Sequence, residues 1–313
     1  MNFSKDNVCA VVVSYFPDSG LPERLTRISE QAKKVILVDN GTKGRAFSTI
    51  DIALRGMTNI ELIKNSENLG VATALNQGVK KALEYGFSWV VTFDQDSIPQ
   101  PNMVVKMLET WEAYPSPEKL MVVGPRTIFS NYSQKSVTIQ DDKPWQEVTH
   151  VITSGSLISK QAFESVGYYF DNLFIDYIDI EYCLRLRNKG YNIIQVRDAI
   201  LLHKMGNIEE HSIFRRSVYP THHDPVRHYY QFRNALLLHR IYKKTQADWC
   251  RQNLIILIKF MCLIFLCERR RIINLFQIIK GILHGLSGRA GRRGETNFDY
   301  VAAKSAFFVD KFL

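Results

Sequence analysis

The 313-residue chain has no Cys-x-x-Cys pair, and its five cysteines, Cys9, Cys183, Cys250, Cys262 and Cys267, show no ligand spacing with histidines. Zinc ribbons and disulfide frameworks are therefore excluded, and the usage points to a reducing compartment. The first strand-to-helix turn lacks a Gly-x-Gly-x-x-Gly fingerprint, which disfavours a nicotinamide-binding domain. No repeat or low-complexity segment is visible. Residues Met1 to Asn7 are polar, and the apolar run Val8 to Val13 is too short for the core of a signal peptide, so a cytosolic face is expected.

What is present is a globular composition, 46% hydrophobic and 23% charged. The length suits one large α/β domain with an appendage, or two modest domains. The formal net charge is +9, and its location is informative. Residues 240–313 carry 14 Lys+Arg and 5 Asp+Glu, a surplus of 9, so the preceding 239 residues carry 26 of each and balance. A neutral main body argues against nucleic acid as its ligand, whereas the basic tail suits an anionic surface.

The chain is organised around Phe93-Asp94-Gln95-Asp96-Ser97, which follows the apolar run Trp89-Val90-Val91. Two carboxylates one residue apart at a strand end lie at the carboxyl edge of a sheet, where α/β folds place ligands. They can share one hard cation, Mg²⁺ or Mn²⁺, or divide between a cation and a ribose hydroxyl. A solvated acidic loop would look the same in isolation.

Around this centre the chain alternates strand and helix. Val8 to Val13 ends at Ser14-Tyr15, a helix is predicted from Leu21 towards Lys34, and Val35 to Val38 ends at Asp39-Asn40-Gly41. Asp39 suits a base or ribose contact, or a plain turn. After the strand Ile60 to Ile63, Asn68-Leu69-Gly70 opens a helix whose small residues at 70, 72, 74 and 78 allow close approach to a ligand or to a strand. Further strands are predicted at Met121 to Pro125 and Tyr191 to Val196, with strand-like alternation over Phe129 to Asp142. The Ser154-Gly155-Ser156 turn can cradle an acceptor or phosphate on its amides. Asp176, Asp179 and Glu181 precede and open another helix, where the dipole favours negative charge and a general base can sit. His203 follows Leu201-Leu202 and could complete a cation site or contact a diphosphate.

In the tail, Leu254 to Cys267 is apolar except for Lys259 and is followed by Arg269-Arg270-Arg271. Fourteen residues fall short of the ~20 a membrane span needs. Ile272, Leu275, Phe276, Ile279 and Leu283 continue at helical spacing, so the expected form is a helix lying on an anionic membrane, with a helical bundle packed on the catalytic sheet or on a second subunit as the competing form.

In order along the chain, Val12-Val13-Ser14-Tyr15, Val38-Asp39-Asn40, Asn68-Leu69-Gly70, Asp94-Gln95-Asp96-Ser97 and Asp176 to Arg185 resemble the inverting family 2 glycosyltransferases, and within them the bacterial rhamnosyltransferases. The resemblance covers about residues 8–240 and implies a GT-A type fold, a Rossmann-like mixed sheet flanked by helices, over 1–240. A membrane-associating helical extension would follow over 241–313. It implies that Ser14, Tyr15, Asp39, Asn68 and Asp94 face the donor nucleotide, that Asp96 and His203 serve the metal, and that Asp179 is the catalytic base. The family's Glu-Asp-x-Asp reads Ile178-Asp179-Ile180-Glu181 here, so the leading acid is absent and Asp176 is its candidate substitute. Glu181, Ser154 and Gly155 are assigned to acceptor or supporting positions. Arg227, Tyr230 and Arg233 resemble a motif that follows the catalytic domain in these enzymes.

The implied activity is transfer of L-rhamnose from dTDP-L-rhamnose, with a divalent cation, to a lipid-linked glycan of O-antigen or capsule synthesis. The expected place is the cytoplasmic face of the bacterial inner membrane. Another donor, UDP-galactofuranose or UDP-glucose, and a non-catalytic membrane-docked scaffold are the alternatives.

Overall fold

A computed structural model describes residues 4–129, 143–203, 211–213, 216–218 and 222–294, the two short pieces 211–213 and 216–218 by backbone alone. The expected alternation over Phe129 to Asp142 falls, beyond Phe129, outside the described residues. The chain divides into two compact units, Met1–Phe170 with Ile178–Met205, and Asp171–Tyr177 with Gly206–Leu313. Residue 241, where the helical extension was expected to begin, lies inside a helix of the second unit.

The first unit is built on a nine-stranded mixed sheet. β1 (Val8–Ser14) is buried along its whole length, as a central parallel strand covered on both faces must be. β2 (Lys34–Asp39) and β4 (Trp89–Asp94) flank it in parallel, and β3 (Ile60–Lys64) lies beyond β2. On the other side β8 (Leu157–Ser159) runs antiparallel between β4 and β6 (Leu120–Phe129), β9 (Asn192–His203) runs parallel to β6, and β5 (Ile98–Pro99) and β7 (Trp145–Glu147) both pair antiparallel with β9. The order β3-β2-β1-β4 reverses direction between β1 and β4, which opens a crevice at their carboxyl ends. Register places Ser14 beside Asp39 and Val13 beside Asp94 at that edge.

Helices cover both faces. α1 (Leu21–Ser29) stops five residues before the expected end, and α2 (Phe47–Leu54) and α4 (Met103–Glu112) were not foreseen. α3 (Val71–Glu84) buries Ala72, Ala74, Leu75, Gly78, Val79 and Ala82. A Cβ at Gly78 would overlap Val11 of β1, so the small residues of this stretch serve close packing on the strand. α5 (Lys160–Val166) is capped by Ser159, whose Oγ accepts the Ala162 N–H, and α6 (Ile178–Asn188) carries Asp179 and Glu181 in its first turn.

The second unit contains α7 (Pro225–Tyr242), α8 (Ala247–Cys267) and α9 (Arg271–Ser287). Its core is Phe232, Ala235, Leu257, Ile264 and Ile278. Asp224 caps α7 ahead of Pro225, a good first helical residue because its missing N–H would be unpaired there. The backbone of β10 (His211–Ile213) pairs antiparallel with that of β11 (Arg216–Val218). α8 is 21 residues long, seven more than the apolar run that suggested it, so by length and composition it could cross a membrane.

Candidate active site

The site is laid out along the carboxyl edge of β1, β2 and β4. The Tyr15 N–H donates to Gln95 Oε1 at 2.8 Å, and Gln95 Nε2 returns a bond to the Tyr15 carbonyl at 3.1 Å. Arg24 Nε holds the Gln95 carbonyl at 2.6 Å. The middle residue of Asp94-Gln95-Asp96 thus ties the two carboxylates to the end of the neighbouring strand. Tyr15 and Phe16 stand about half exposed beside it, their rings edge-to-face at 4.7 Å. Phe16, unmarked in the sequence, is held at φ 46° with its N–H on Thr42 Oγ1.

Asp94, Asp96 and His203 bring one ligand atom each within 4.8 Å of one another, and all three are partly buried. His203 Nδ1 lies 2.7 Å from Ser97 Oγ and 3.5 Å from Asp96 Oδ1. Ser97 Oγ bonds Ser154 Oγ at 2.6 Å, and Ser154 Oγ accepts the Asp94 N–H at 3.1 Å. This chain of hydroxyls fixes the imidazole and the backbone that carries Asp94 together, as partners behind metal ligands do. Two carboxylates and an imidazole suit a divalent cation of the Mg²⁺ or Mn²⁺ type, which prefers oxygen donors and tolerates a nitrogen. Position 203 is 107 residues beyond Asp96 in sequence, and β9 is what delivers it.

The other expected site residues have partners within the protein. Asp39 is fully buried, accepting from the Thr42 N–H at 3.1 Å, Thr42 Oγ1 at 2.5 Å and Ser14 Oγ at 3.4 Å. It therefore organises the loop after β2. Asn68 Oδ1 accepts the Gly70 N–H at 2.9 Å and Asn40 Nδ2 at 3.0 Å, and Asn40 Oδ1 accepts the Leu69 N–H, so the two amides lock the start of α3 to the end of β2. The Gly155 N–H donates to the Thr92 carbonyl at 2.7 Å and the Ser156 N–H to that of Thr153, so this turn holds β4 and offers no amide cradle. Ser154, fully buried, supports the Asp94 turn. Glu181 is also fully buried and pairs with Arg185 at 2.8 Å, whose guanidinium reaches the Val166 and Tyr168 carbonyls, so it fastens α6 to the end of α5.

Asp179, second in α6, is partly buried. Its Oδ2 accepts the Thr153 N–H at 3.0 Å and its Oδ1 the Ile180 N–H at 2.8 Å. The helix start favours its negative charge.

In the second unit, Asp176 is joined by Arg227 in a two-point ion pair at 3.0 to 3.2 Å. Phe174, Asp176 and Tyr177 are all in the left-handed region, φ 64° to 65°, which costs non-glycine residues energy and persists only when neighbours enforce it. They are enforced. Asn234 Nδ2 bonds the carbonyls of Leu173, Ile175 and Asp176, and buried Arg233 bonds those of Asn172 and Leu173. Tyr230 stacks on Phe174 at 5.0 Å. The Arg227, Tyr230 and Arg233 motif thus clamps the segment that leads into α6.

A sheet that switches direction beside a paired-carboxylate turn, with a histidine delivered from a distant strand, defines a GT-A type glycosyltransferase, and the chain belongs to glycosyltransferase family 2, whose family model (Glycosyl transferase family 2) matches residues 9–167. Within that family it is rhamnosyltransferase-like. It is 31% identical over 248 residues to the dTDP-rhamnosyl transferase RfbF of Shigella flexneri, covering 75% of this chain and 80% of that protein. A low-salt glycan biosynthesis hexosyltransferase of Haloferax volcanii is 22% identical over 311 residues, covering 92% and 93%. The fold is similar to that of a mannosyltransferase from Pyrobaculum calidifontis solved with GDP-Man and Mn²⁺, with a TM-score of 0.56 and 15% identity over 91% of this chain and 88% of that one.

Proposed function

We propose that this glycosyltransferase moves L-rhamnose from dTDP-L-rhamnose, with inversion, to a hydroxyl of a lipid-linked glycan in bacterial surface polysaccharide synthesis. The observation that carries the assignment is the convergence of Asp94, Asp96 and His203, in the unit that also contains Asp179, in a chain 31% identical to a dTDP-rhamnosyl transferase. Asp179 takes the acceptor proton as the hydroxyl attacks the anomeric carbon and the bond from that carbon to the diphosphate oxygen breaks, dTDP leaving with the electron pair; Thr153 and Ile180 hold the Asp179 carboxylate in place. Asp94, Asp96 and His203 would hold a divalent cation, which would supply positive charge to the donor diphosphate. Tyr15 and Phe16 offer their exposed rings to the nucleotide base.

A thermal-shift panel of dTDP-, UDP- and GDP-sugars, each with and without Mn²⁺, tests the donor and the cation together. Stabilisation by dTDP-rhamnose that needs the cation and vanishes in Asp96→Ala is expected. Stabilisation by a UDP-sugar alone would reassign the donor, and no response to any nucleotide would remove the transfer reaction.

A further inference from the structure

α9 is patterned inside out. Ile272, Phe276, Ile279, Leu283 and Leu286 recur at intervals of four and three, one side of a helix, and that side is exposed, with Ile272 at 85% and Phe276 at 63%. The opposite, buried side carries Asn274, Gln277, Ile278, Gly281 and Gly285. A helix of a water-soluble unit points its apolar stripe inward. Rotating α9 to correct this is blocked, because Gly281 and Gly285 lie against the Tyr229 and Arg233 carbonyls of α7 so closely that a Cβ would sit 2.5 and 2.8 Å from them. α8 continues the exposed apolar surface with Ile255, Ile258, Phe265 and Leu266.

Charge identifies the occupant. Residues 249–294 carry nine Lys+Arg and one acid, Glu268. That acid is buried, bonded to His228 Nε2 at 3.0 Å and Asn274 Nδ2 at 2.6 Å, so the turn between α8 and α9 carries Arg269, Arg270 and Arg271 and no exposed acid of its own, while exposed Asp224 lines the same cleft as Arg269 and Arg270. A second copy meeting this face through a two-fold axis would bring like charges together. An anionic bilayer neutralises them.

We propose that the outward faces of α8 and α9 dock on an anionic lipid bilayer, lying in its interface with Arg269, Arg270 and Arg271 at the level of the lipid phosphates. α8 does not cross the bilayer. Its stripe Cys250, Leu257 and Ile264 is buried, and the latter two share a core with Phe232, Ala235 and Ile278, so an upright helix would dismantle that core and carry Lys259 to mid-membrane. The surface goes beyond the transfer reaction and stands whichever sugar is donated.

Flotation of the full chain with vesicles tests it without an activity readout. Binding to vesicles containing phosphatidylglycerol, weak binding to phosphatidylcholine alone and release by a sodium carbonate wash are expected. At about fivefold per basic side chain, Arg269→Ser, Arg270→Ser and Arg271→Ser together lower partitioning roughly 100-fold. Ile272→Glu with Phe276→Glu abolishes binding with an unchanged thermal midpoint, since both side chains are exposed. Equal binding to neutral vesicles, retention after carbonate as a spanning helix, or no vesicle binding together with a dimer that dissociates in Phe276→Glu would each overturn the proposal.

Discussion

Replacing Asp179 with asparagine separates the chemistry from the fold. The side chains are nearly isosteric, but the amide cannot accept a proton at neutral pH. Both oxygens of Asp179 accept a backbone N–H, from Thr153 at 3.0 Å and Ile180 at 2.8 Å. Asparagine keeps one of these and turns an NH₂ towards the other donor, losing a charge-assisted bond worth about 1.5–3 kcal/mol. Loss of negative charge at the start of α6 adds roughly 0.3–1 kcal/mol. Against a typical stability of about 5–15 kcal/mol, the variant remains folded with a lower thermal midpoint. Removing a placed base costs about 10²–10⁴ in rate, or roughly 3–5 kcal/mol on the barrier. In single-turnover transfer from dTDP-rhamnose to a synthetic lipid-linked acceptor, the rate constant should fall by that factor while the Kd for dTDP stays within about twofold. Turnover within about tenfold of the parent would refute the role, because no positioned base is worth so little. An equal loss of dTDP affinity would also refute it, by making Asp179 part of donor binding.

Three further outcomes are expected. Ser97→Ala removes the hydroxyl between Ser154 and His203, so cation affinity measured by calorimetry should drop about 10–100-fold with the strands intact; an unchanged affinity would detach His203 from the site. Asn234→Leu leaves the Leu173, Ile175 and Asp176 carbonyls without its amide and should cost about 3 kcal/mol in chemical denaturation. A cost below about 1 kcal/mol would mean that the left-handed segment does not depend on it. Burial, helped by the charge of Arg227, holds His223 near a pKa of about 4. Its folded value lies below the usual 6.5, so the unfolded chain binds more protons between the two; stability is fully present above pH 6.5 and falls, by roughly 3 kcal/mol, as the pH drops towards 4. His223→Gln should flatten the thermal midpoint over that window.

Much of the first unit was legible because parallel strands buried on both faces read as uninterrupted apolar runs. Val8 to Val13, Val35 to Val38 and Trp89 to Val91 announce themselves, and each is followed by polar residues towards the sheet edge. α2 and α4 escaped notice, since short helices over a sheet need only a few inward residues, such as Ile50 and Ala53 in α2. The acids were legible as acids, but not their employment. Asp94, Asp96, Asp39 and Glu181 look alike in sequence, yet two converge with His203 and two are buried as internal fasteners.

The amino-acid sequence by itself determined the succession of strands and helices, the carboxylate pair at a strand end and the concentration of positive charge in the tail, because these follow from local pattern and composition. Tertiary structure alone decided which carboxylates share a site, that a histidine 107 positions beyond Asp96 joins them, and that Arg227, Arg233 and Asn234 hold three residues in the left-handed region. It also decided the direction of α9. Ile272 to Leu286 is amphipathic in sequence whichever side faces in, and only the close fit of Gly281 and Gly285 on α7 turns its apolar stripe outward. Such facts depend on distances between residues far apart in the chain, which register and packing set and local pattern does not.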